Sequence, residues 1–396
     1  MSRSDKLTLF SLSVGHFIND SYSNFLGPLL PLLIAKLNLT MAQAGWLATI
    51  LVFSSSFTQP LYGYISDRYS TRSFAVFSPL ITAVFMSCLG LAPSYGVLSA
   101  LLLLGGVGIA SFHPQGAAIT AGSGSGRKGL RMSIFVTAGT LGYALGPLLI
   151  MLVVAHYGLE RSYLVIFPGL AAFGLLYFFV PATHLPTKTL PRQASMRDAM
   201  KDTWRPLLIL YWLVVIRSAM QMCFVSFLPL YFHQHGLGDT QAARITSIFL
   251  FAGALGGFSG GTLTDRFGGK HVISLSMLLS TPCFTAFLLS QGLAANLWLS
   301  LGGVVLFSTI PVNVVMAQEL IPANASVAAA LTMGFAWGMG GLAVPLIGKI
   351  ADLTSLPTAL MTVAVLPVGG FFLSLGLPAK QTRAENATVV VSAANE

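Results

Sequence analysis

Charged side chains are scarce in this sequence. They make up 8% of its 396 residues, whereas hydrophobic side chains make up 55%. A soluble domain carries charge on about a quarter of its residues, because its water-facing shell needs it. The scarcity excludes an ordinary soluble enzyme or binding domain, and it indicates a protein whose main solvent is lipid.

Cysteine is scarce as well. The three cysteines, Cys88, Cys223 and Cys283, lie inside apolar runs and lack the spacing of metal ligands. We interpret them as buried apolar side chains and expect neither a disulfide nor a metal site. The sequence also lacks a nucleotide-binding loop and a nucleophile with an ordered base, so we expect no enzyme activity and no cofactor.

Long apolar runs dominate what is present. A bilayer core about 30 Å thick needs roughly 20 apolar residues per helix. The first run follows a polar opening without a small-residue cleavage pattern, so we expect a membrane span rather than a signal peptide. Twelve runs fall near residues 8–35, 42–65, 73–92, 95–121, 130–154, 161–181, 205–232, 241–264, 271–291, 294–318, 326–349 and 356–378.

Lysine and arginine fall in short clusters between these runs. If both chain ends are cytoplasmic, sixteen of them lie on the cytoplasmic side and four, Lys36, Arg161, Arg244 and Lys349, lie outside. This bias predicts a multi-pass protein of the bacterial inner membrane with its N and C termini in the cytoplasm. The scattered clusters also argue against a nucleic-acid partner, although the net charge is +9.

A hydrophilic stretch between the sixth and seventh runs divides the chain. We predict an N-terminal six-helix bundle at 1–181, a cytoplasmic linker at 182–204, a C-terminal six-helix bundle at 205–378 and a disordered cytoplasmic tail at 379–396.

The two halves are related in sequence. Gly63–Arg68 and Gly261–Arg266 share a pattern at an offset of 198 residues. A constant offset over more than a hundred residues predicts parallel structural repeats with a site between them near the membrane midplane. The same offset relates Pro31 to Pro229, Arg72 to Lys270, Gly142 to Gly340 and Pro147 to Pro345.

The doubled motif carries a family resemblance. Gly63-x-x-x-Asp67-Arg68-x-x-x-Arg72 resembles the signature loop of the major facilitator superfamily, and Gly261-x-x-x-Asp265-Arg266-x-Gly268-Gly269-Lys270 repeats it. The resemblance implies an all-α polytopic membrane protein of twelve transmembrane helices in two six-helix bundles. Three shorter segments are similar to fosmidomycin-resistance-type efflux proteins: Gly15–Asp20, Phe112–Pro114 and Gln318–Pro322.

The signature loops are candidates for gating. Asp67 and Asp265 fall at cytoplasmic helix ends, where a carboxylate can meet a helix N-terminus or an arginine of the other half. Such a latch would favour one access state, and the alternative is a solvated charge cluster. The predicted gating residues are Gly63, Asp67, Arg68, Arg72, Gly261, Asp265, Arg266, Lys270 and Glu319.

The first run carries a polar stripe on one helical face, formed by His16, Asn19, Asp20, Ser23, Asn24 and Gly27. Asp20 is the acid that lies well inside a run, and ionisable groups in that position usually face a cavity or a partner. We predict that Asp20 couples transport to protons; the alternative is a structural hydrogen-bonding role. His16, one turn earlier, is a second candidate for proton coupling, and its alternative is simply to hold that carboxylate in place.

A second histidine precedes a proline in the fourth run. His113 could relay protons, or it could bond a backbone carbonyl that Pro114 leaves free, and the sequence favours neither. Many drug/proton antiporters carry an arginine in this span, and the absence of one between Gly96 and Gly126 puts their proton-handling scheme in doubt here.

Arg217 is the basic residue that lies deep inside a run. The offset places it opposite Asn19, so we expect both near the central cavity. A guanidinium keeps its proton and needs an anionic partner, which could be Asp20, a substrate or each in turn. The predicted substrate-binding residues are Arg217, Asn19, Asn24 and Gln221; the alternative for Arg217 is a permanent structural ion pair.

Small residues in the fifth run look like the antiporter motif of drug-exporting relatives: Gly139, Gly142, Gly146 and Pro147, with Gly340 and Pro345 as counterparts. Close helix packing in any bundle would use the same residues. We therefore expect a monomeric, proton-coupled antiporter with small anionic or drug-like substrates, protons and membrane lipid as partners. An uptake symporter and a lipid or lysolipid translocator stay open.

Overall fold

The computed structural model describes residues 3–39, 41–69, 72–124, 126–181, 203–237 and 239–378. These residues form helices joined by short turns, and no β-strand occurs among them. Most of the predicted linker at 182–204 and all of the predicted tail at 379–396 lie outside the described residues.

The chain forms the predicted set of transmembrane helices, which we number span 1 to span 12. Ten helices in the described ranges are long and apolar enough to cross a membrane, and the first two spans are built from shorter segments. The prediction of an all-α polytopic protein is confirmed. In order, the spans are Arg3–Ser23 with Leu26–Leu37, Met41–Val52 with Phe53–Phe57 and Gln59–Tyr69, Ser73–Leu91, Tyr95–Gly122, Lys128–Tyr157, Leu159–Phe179, Trp204–Gln234, Asp239–Phe267, Gly269–Leu289, Gly292–Leu320, Ala325–Leu353 and Leu356–Ser374.

Span 1 is interrupted, whereas the sequence predicts one continuous run. The N–H groups of Asn24 and Phe25 bond to carbonyls three residues back, at Ser21 and Tyr22. Pro28 follows at once and has no N–H to donate to the carbonyl of Asn24. The break therefore leaves polar backbone next to the predicted polar stripe.

Span 2 contains a π-helical turn at Phe53–Phe57. Hydroxyl groups within and after this turn return to the backbone: Ser54 Oγ donates to the carbonyl of Ile50 at 2.9 Å, and Thr58 Oγ1 donates to that of Ser54 at 2.5 Å. Such bonds compete with the regular helical ladder and bend helices. Span 11 has a second π-helical turn at Leu331–Phe335.

Glycines let span 1 pack directly on span 5. A Cβ on Gly142 would overlap the carbonyl of Phe17, and one on Gly146 would overlap that of Ser21. In the second half a Cβ on Gly340 would overlap Ser218 of span 7. The repeat thus uses the same close helix approach twice, with Pro147 inside span 5 and Pro345 inside span 11.

The two halves meet along two seams, which extend from the middle of the spans toward the end that carries Asp67 and Asp265; we call this the motif end. In the 5–8 seam, Ser133 Oγ donates to the carbonyl of Gly257 and accepts from the N–H of Gly261, both at 2.9 Å.

The 2–11 seam joins the two spans that contain π-helical turns. Phe57 and Phe335, one from each turn, make an edge-to-face contact with ring centroids 5.6 Å apart. Nearer the motif end, a Cβ on Gly63 would lie 2.9 Å from the carbonyl oxygen of Ser326. Both seams therefore rely on small residues at their points of closest approach.

The close approach of spans 1 and 5 predicts a sharp response to one methyl group. Gly142→Ala would force the helices apart and should cost about 1–3 kcal/mol, as overpacking does elsewhere. Gly174→Ala in span 6 is the matched control, because no atom of another described span lies within 4 Å of its added Cβ. Thermal unfolding of the purified protein should show a lower midpoint for Gly142→Ala alone; equal midpoints would contradict the packing described here.

Candidate functional site

Three ionisable side chains meet inside the first half. His16 and Asp20 lie one turn apart on span 1, and His113 comes from span 4. His16 Nε2 lies 3.2 Å from Asp20 Oδ2, and His113 Nε2 lies 3.1 Å from Asp20 Oδ1. We call these three residues the triad. Their side chains are 3%, 15% and 11% exposed in the order His16, Asp20, His113, so Asp20 is the most accessible.

Backbone carbonyls orient both imidazole rings. His16 Nδ1 lies 2.8 Å from the carbonyl oxygen of Phe135 in span 5, and His113 Nδ1 lies 2.8 Å from that of Ile109 in its own span. The His16 ring also stacks on Phe135 with centroids 4.1 Å apart. The triad therefore ties spans 1, 4 and 5 together, and each histidine presents Nε2 to the carboxylate.

The position of His113 combines the two alternatives left open by the sequence. Its ring does bond a backbone carbonyl, that of Ile109. The carbonyl that Pro114 leaves without a helical donor is a different one, that of Ala110. The same ring also reaches Asp20. One ring nitrogen of each histidine and one carboxylate oxygen of Asp20 lie within 4.8 Å of one another, a spacing at which a divalent cation could bind.

The predicted asparagines face into the first half. Asn19 Oδ1 accepts a hydrogen bond from Thr82 Oγ1 of span 3 at 2.8 Å, and Asn19 is fully buried. Asn24 Nδ2 donates to the carbonyl of Tyr143 in span 5 at 2.9 Å. In this conformation Asn19 therefore differs from the expectation that it lies at the central cavity.

Arg217 is buried among neutral partners. Its side chain donates to Gln221 Oε1 and Ser218 Oγ, both at 2.7 Å, and its Nε has no hydrogen-bond partner among the residues that the structure describes. The residue is 3% exposed. Within the described ranges, no carboxylate lies within ion-pair distance of it, and the ion-pair partners of Asp20 are the two histidines. The guanidinium charge is thus held by dipoles alone.

The two signature aspartates cross between the halves. Asp67 accepts hydrogen bonds from the N–H groups of Ser326 and Val327, both at 3.0 Å, at the start of span 11. Its carboxylate therefore meets the positive end of a helix of the other half, where free N–H groups and the helix dipole favour an anion.

Asp265 makes the reciprocal contact. It accepts from the N–H groups of Gly129 and Leu130, at 3.0 and 3.1 Å, at the start of span 5. Gly261, one turn before it, packs so closely on Gly129 that a Cβ would overlap the Gly129 carbonyl. The two contacts, which we call the latches, join both seams at the motif end.

Two basic residues of the signature loops, Arg72 and Lys270, make contacts within their own halves, unlike the signature aspartates. Arg72 donates to the carbonyls of Tyr177 and Val180, and Lys270 Nζ donates to that of Leu375 at 2.7 Å. Tyr177 and Leu375 are themselves 198 residues apart. These contacts tie spans 3 and 6, and spans 9 and 12, within their own halves, and the gating role of Arg72 and Lys270 stays a prediction.

The remaining predicted gating residues lie at the same end. Arg68 donates to Tyr64 at 3.2 Å, and the guanidinium of Arg266 lies 5.1 Å from the ring centroid of Phe267. Glu319, at the end of span 10, attracts the charge of Lys128 at the start of span 5. This attraction crosses between the halves.

Sequence reasoning missed Arg131 as a site residue. Its guanidinium donates to the carbonyls of Thr120, Ala121 and Gly126, and it is attracted to Asp265. It thereby joins the end of span 4 to the latch on span 5. One signal could have indicated it: Arg131 lies one turn after Lys128, at the start of span 5. The count of positive charges treated it only as a loop residue.

Comparisons with known proteins agree with this architecture. The model of the Major Facilitator Superfamily matches residues 12–345. The chain is 30% identical to the fosmidomycin resistance protein of Escherichia coli (strain K12) over 376 residues, 93% of this chain and 92% of that protein. It is 27% identical to the multidrug resistance protein MdtG of Salmonella newport (strain SL254) over 291 residues, 67% of this chain and 69% of that protein.

A solved structure shares the fold. FucP, the E. coli fucose:proton symporter, superposes in its outward conformation with a TM-score of 0.75 at 16% identity, covering 94% of this chain and 99% of that one. Identity at this level supports the architecture and carries nothing about the substrate.

The latches predict a measurable conformational bias. Asp67→Ala removes two charge-assisted hydrogen bonds and should shift the equilibrium toward an open motif end by about 5–150-fold, the range of a coupling worth 1–3 kcal/mol. A cysteine placed at Val315, a buried position on span 10, should then react faster with a maleimide in a background without the native cysteines.

Asp352→Ala is the control for charge removal, because Asp352 is an exposed residue at the far end of span 11. Asp265→Ala should behave like Asp67→Ala. Equal labelling of Val315→Cys in the Asp67→Ala and Asp352→Ala backgrounds would contradict a latch.

Proposed function

The chain belongs to the major facilitator superfamily, whose members are transporters, and on this basis we propose that it exports small anionic molecules in exchange for protons. The two halves rock about the central site, which opens alternately to each side of the membrane. One chain supplies both halves, so the monomer is the working unit.

The proposal of an anionic substrate rests on Arg217, which is buried without a carboxylate partner in the described ranges. A guanidinium cannot release its proton, and burying an unpaired charge is strongly unfavourable. Gln221 and Ser218 hold the group in place without neutralising it. Its Nε, which is buried and has no hydrogen-bond partner among the described residues, suits the oxygen atoms of a carboxylate or phosphonate, because guanidinium groups bind such planar or tetrahedral anions through paired N–H donors.

The triad supplies the proton site. Asp20, His16 and His113 are groups that bind and release protons, and they lie in the first half, whereas Arg217 lies in the second. Asp20 is the most exposed of the three and so exchanges protons with the cavity, while His16 and His113 accept them behind it.

Burial explains how the two sites could exchange their ligands. With the latches closed, Arg217 is covered while the triad is compact. Protons therefore favour this conformation, and an anion favours one in which Arg217 is uncovered. Two ligands that favour opposite conformations weaken each other's binding, which is the condition for exchange.

The direction of export rests on two supports. The excess of lysine and arginine makes the motif end cytoplasmic, with both termini inside, so closed latches correspond to an outward-facing conformation. The fosmidomycin resistance and multidrug resistance proteins are among the relatives by sequence. Together they favour efflux across a bacterial inner membrane, and they suggest fosmidomycin, a phosphonate, as the first compound to test.

An uptake symporter is the second candidate, and electrostatics favours it. Protons on the triad would raise the positive potential around Arg217 and so attract an anion directly. If this attraction outweighs the conformational preference, protons and anion bind together and travel in the same direction. FucP, a fucose:proton symporter, shows that the fold accommodates such coupling.

The proposal predicts a specific loss of transport. In inverted vesicles with an acid lumen, fosmidomycin should release protons through the wild-type protein. Arg217→Gln keeps the size and removes the charge; loss of such a buried charge contact costs about 2–5 kcal/mol, so the apparent affinity should fall roughly 30-fold or more. A fluorescent pH indicator measures the effect.

Arg244→Gln is the control, since Arg244 is an exposed arginine in the same half as Arg217 and lies at the end of span 8 opposite to the motif end. Asp20→Asn should abolish the proton signal without removing fosmidomycin binding. Equal signals from Arg217→Gln and Arg244→Gln would remove the case for an anion site at Arg217.

A further inference from the structure

We propose that the triad holds two exchangeable protons, one in each contact between Asp20 and a histidine, and that the transport cycle therefore carries two protons per anion. The inference rests on the proposed proton site and adds its stoichiometry.

The tautomer of each histidine follows from its backbone contact. A carbonyl oxygen can only accept a hydrogen bond, so the Nδ1 atoms that face Phe135 and Ile109 must each carry a hydrogen. In the neutral ring the other nitrogen, Nε2, then has a bare lone pair. On both histidines this is the nitrogen that faces Asp20.

Each Nε2 contact with Asp20 consequently needs a proton of its own. The two contacts, at 3.2 and 3.1 Å, involve different carboxylate oxygens, Oδ2 and Oδ1. A lone pair that faces a carboxylate oxygen at this distance without a hydrogen between them is repulsive, and the surroundings are too buried for water to screen it. One proton satisfies one contact, so both contacts need two. Asp20 Oδ1 is buried and has no other polar partner among the described residues, so a proton at its contact with His113 is what would satisfy it.

The charge of the triad changes with its load. With two protons the triad carries one positive charge, with one it is neutral, and with none it carries one negative charge. Among the described residues, the titratable groups that act on Asp20 are His16 from span 1, His113 from span 4 and Tyr143 from span 5. No fixed cation among them offsets the empty state, so protons are the source of balance.

Release of both protons should loosen the three spans together. The two contacts join span 1 to span 4, and the Phe135 carbonyl joins the His16 ring to span 5. The unloaded carboxylate repels both Nε2 atoms, and this repulsion acts against the compact arrangement that accompanies closed latches. The second proton is thus part of the conformational coupling, not a spectator.

The stoichiometry can be measured as a balance of gradients. In liposomes with the membrane potential clamped at zero, a tenfold proton gradient should be balanced by a hundredfold gradient of the same ionic form of fosmidomycin. In His113→Gln, a side chain that can donate to Asp20 but does not titrate, the balancing gradient should fall to tenfold. A tenfold balance in the wild type would overturn the two-proton proposal.

His156→Gln is the matched control. His156 Nδ1 lies 2.8 Å from the carbonyl oxygen of Leu152, four residues back, as His113 Nδ1 does from Ile109, but His156 is exposed and has no acid partner in the described chain. It should keep the hundredfold balance. A change in His156→Gln equal to that in His113→Gln would show that the effect is not local to the triad and would overturn the proposal.

A second measurement separates this proposal from the proposed function. Nitrogen-15 spectra of histidine-labelled, purified protein should show His16 and His113 keeping Nδ1 protonated while both lose a proton from the Asp20 contacts as the pH rises. If fosmidomycin moves no protons, the proposed function fails, while these spectra still decide the proton count. A neutral ring protonated on Nε2, or spectra that change on adding a chelator and so reveal a bound metal ion, would overturn it.

Discussion

Charge inside a membrane bundle is costly unless a partner balances it, and the placement of balancing partners organises this protein. Asp20 is balanced by histidines that can gain or lose protons. Asp67 and Asp265 are balanced by helix N-termini of the other half. Arg217 is balanced by neutral dipoles only. Each arrangement leaves a charge whose partner can change, which is what a transport cycle requires.

The internal repeat accounts for the framework and not for the chemistry. The latches, the glycine contacts and the ties made by Arg72 and Lys270 occur in both halves. The ionisable sites do not: the offset of 198 places Ser218 opposite Asp20 and Pro311 opposite His113. Under the proposed function, a symmetric scaffold carries a proton-binding half and an anion-binding half, so the two ligands would act on the same rocking motion from opposite sides.

Sequence alone could predict the spans, the repeat and the inward position of Asp20, because hydropathy, a constant offset and helical spacing are local signals. The meeting of Asp20 with His113 could not be derived, since the two residues are 93 positions apart in the sequence and helix packing decides which faces meet. The same reason explains the outcome for Asn19. Its helical face could be identified from the sequence, but its hydrogen-bond partner, Thr82 of span 3, could not. Sequence spacing gives a face and leaves its partner open.

The central claim is that the anion at Arg217 and the protons on the triad are linked through one conformational equilibrium. Calorimetric titration of the purified protein with fosmidomycin in two buffers of different ionisation enthalpy measures that linkage directly. Exchange predicts that binding releases protons, so the observed heat should depend on the buffer in that sense. Heats that are identical in both buffers would show that anion binding leaves the triad unchanged and would contradict the account.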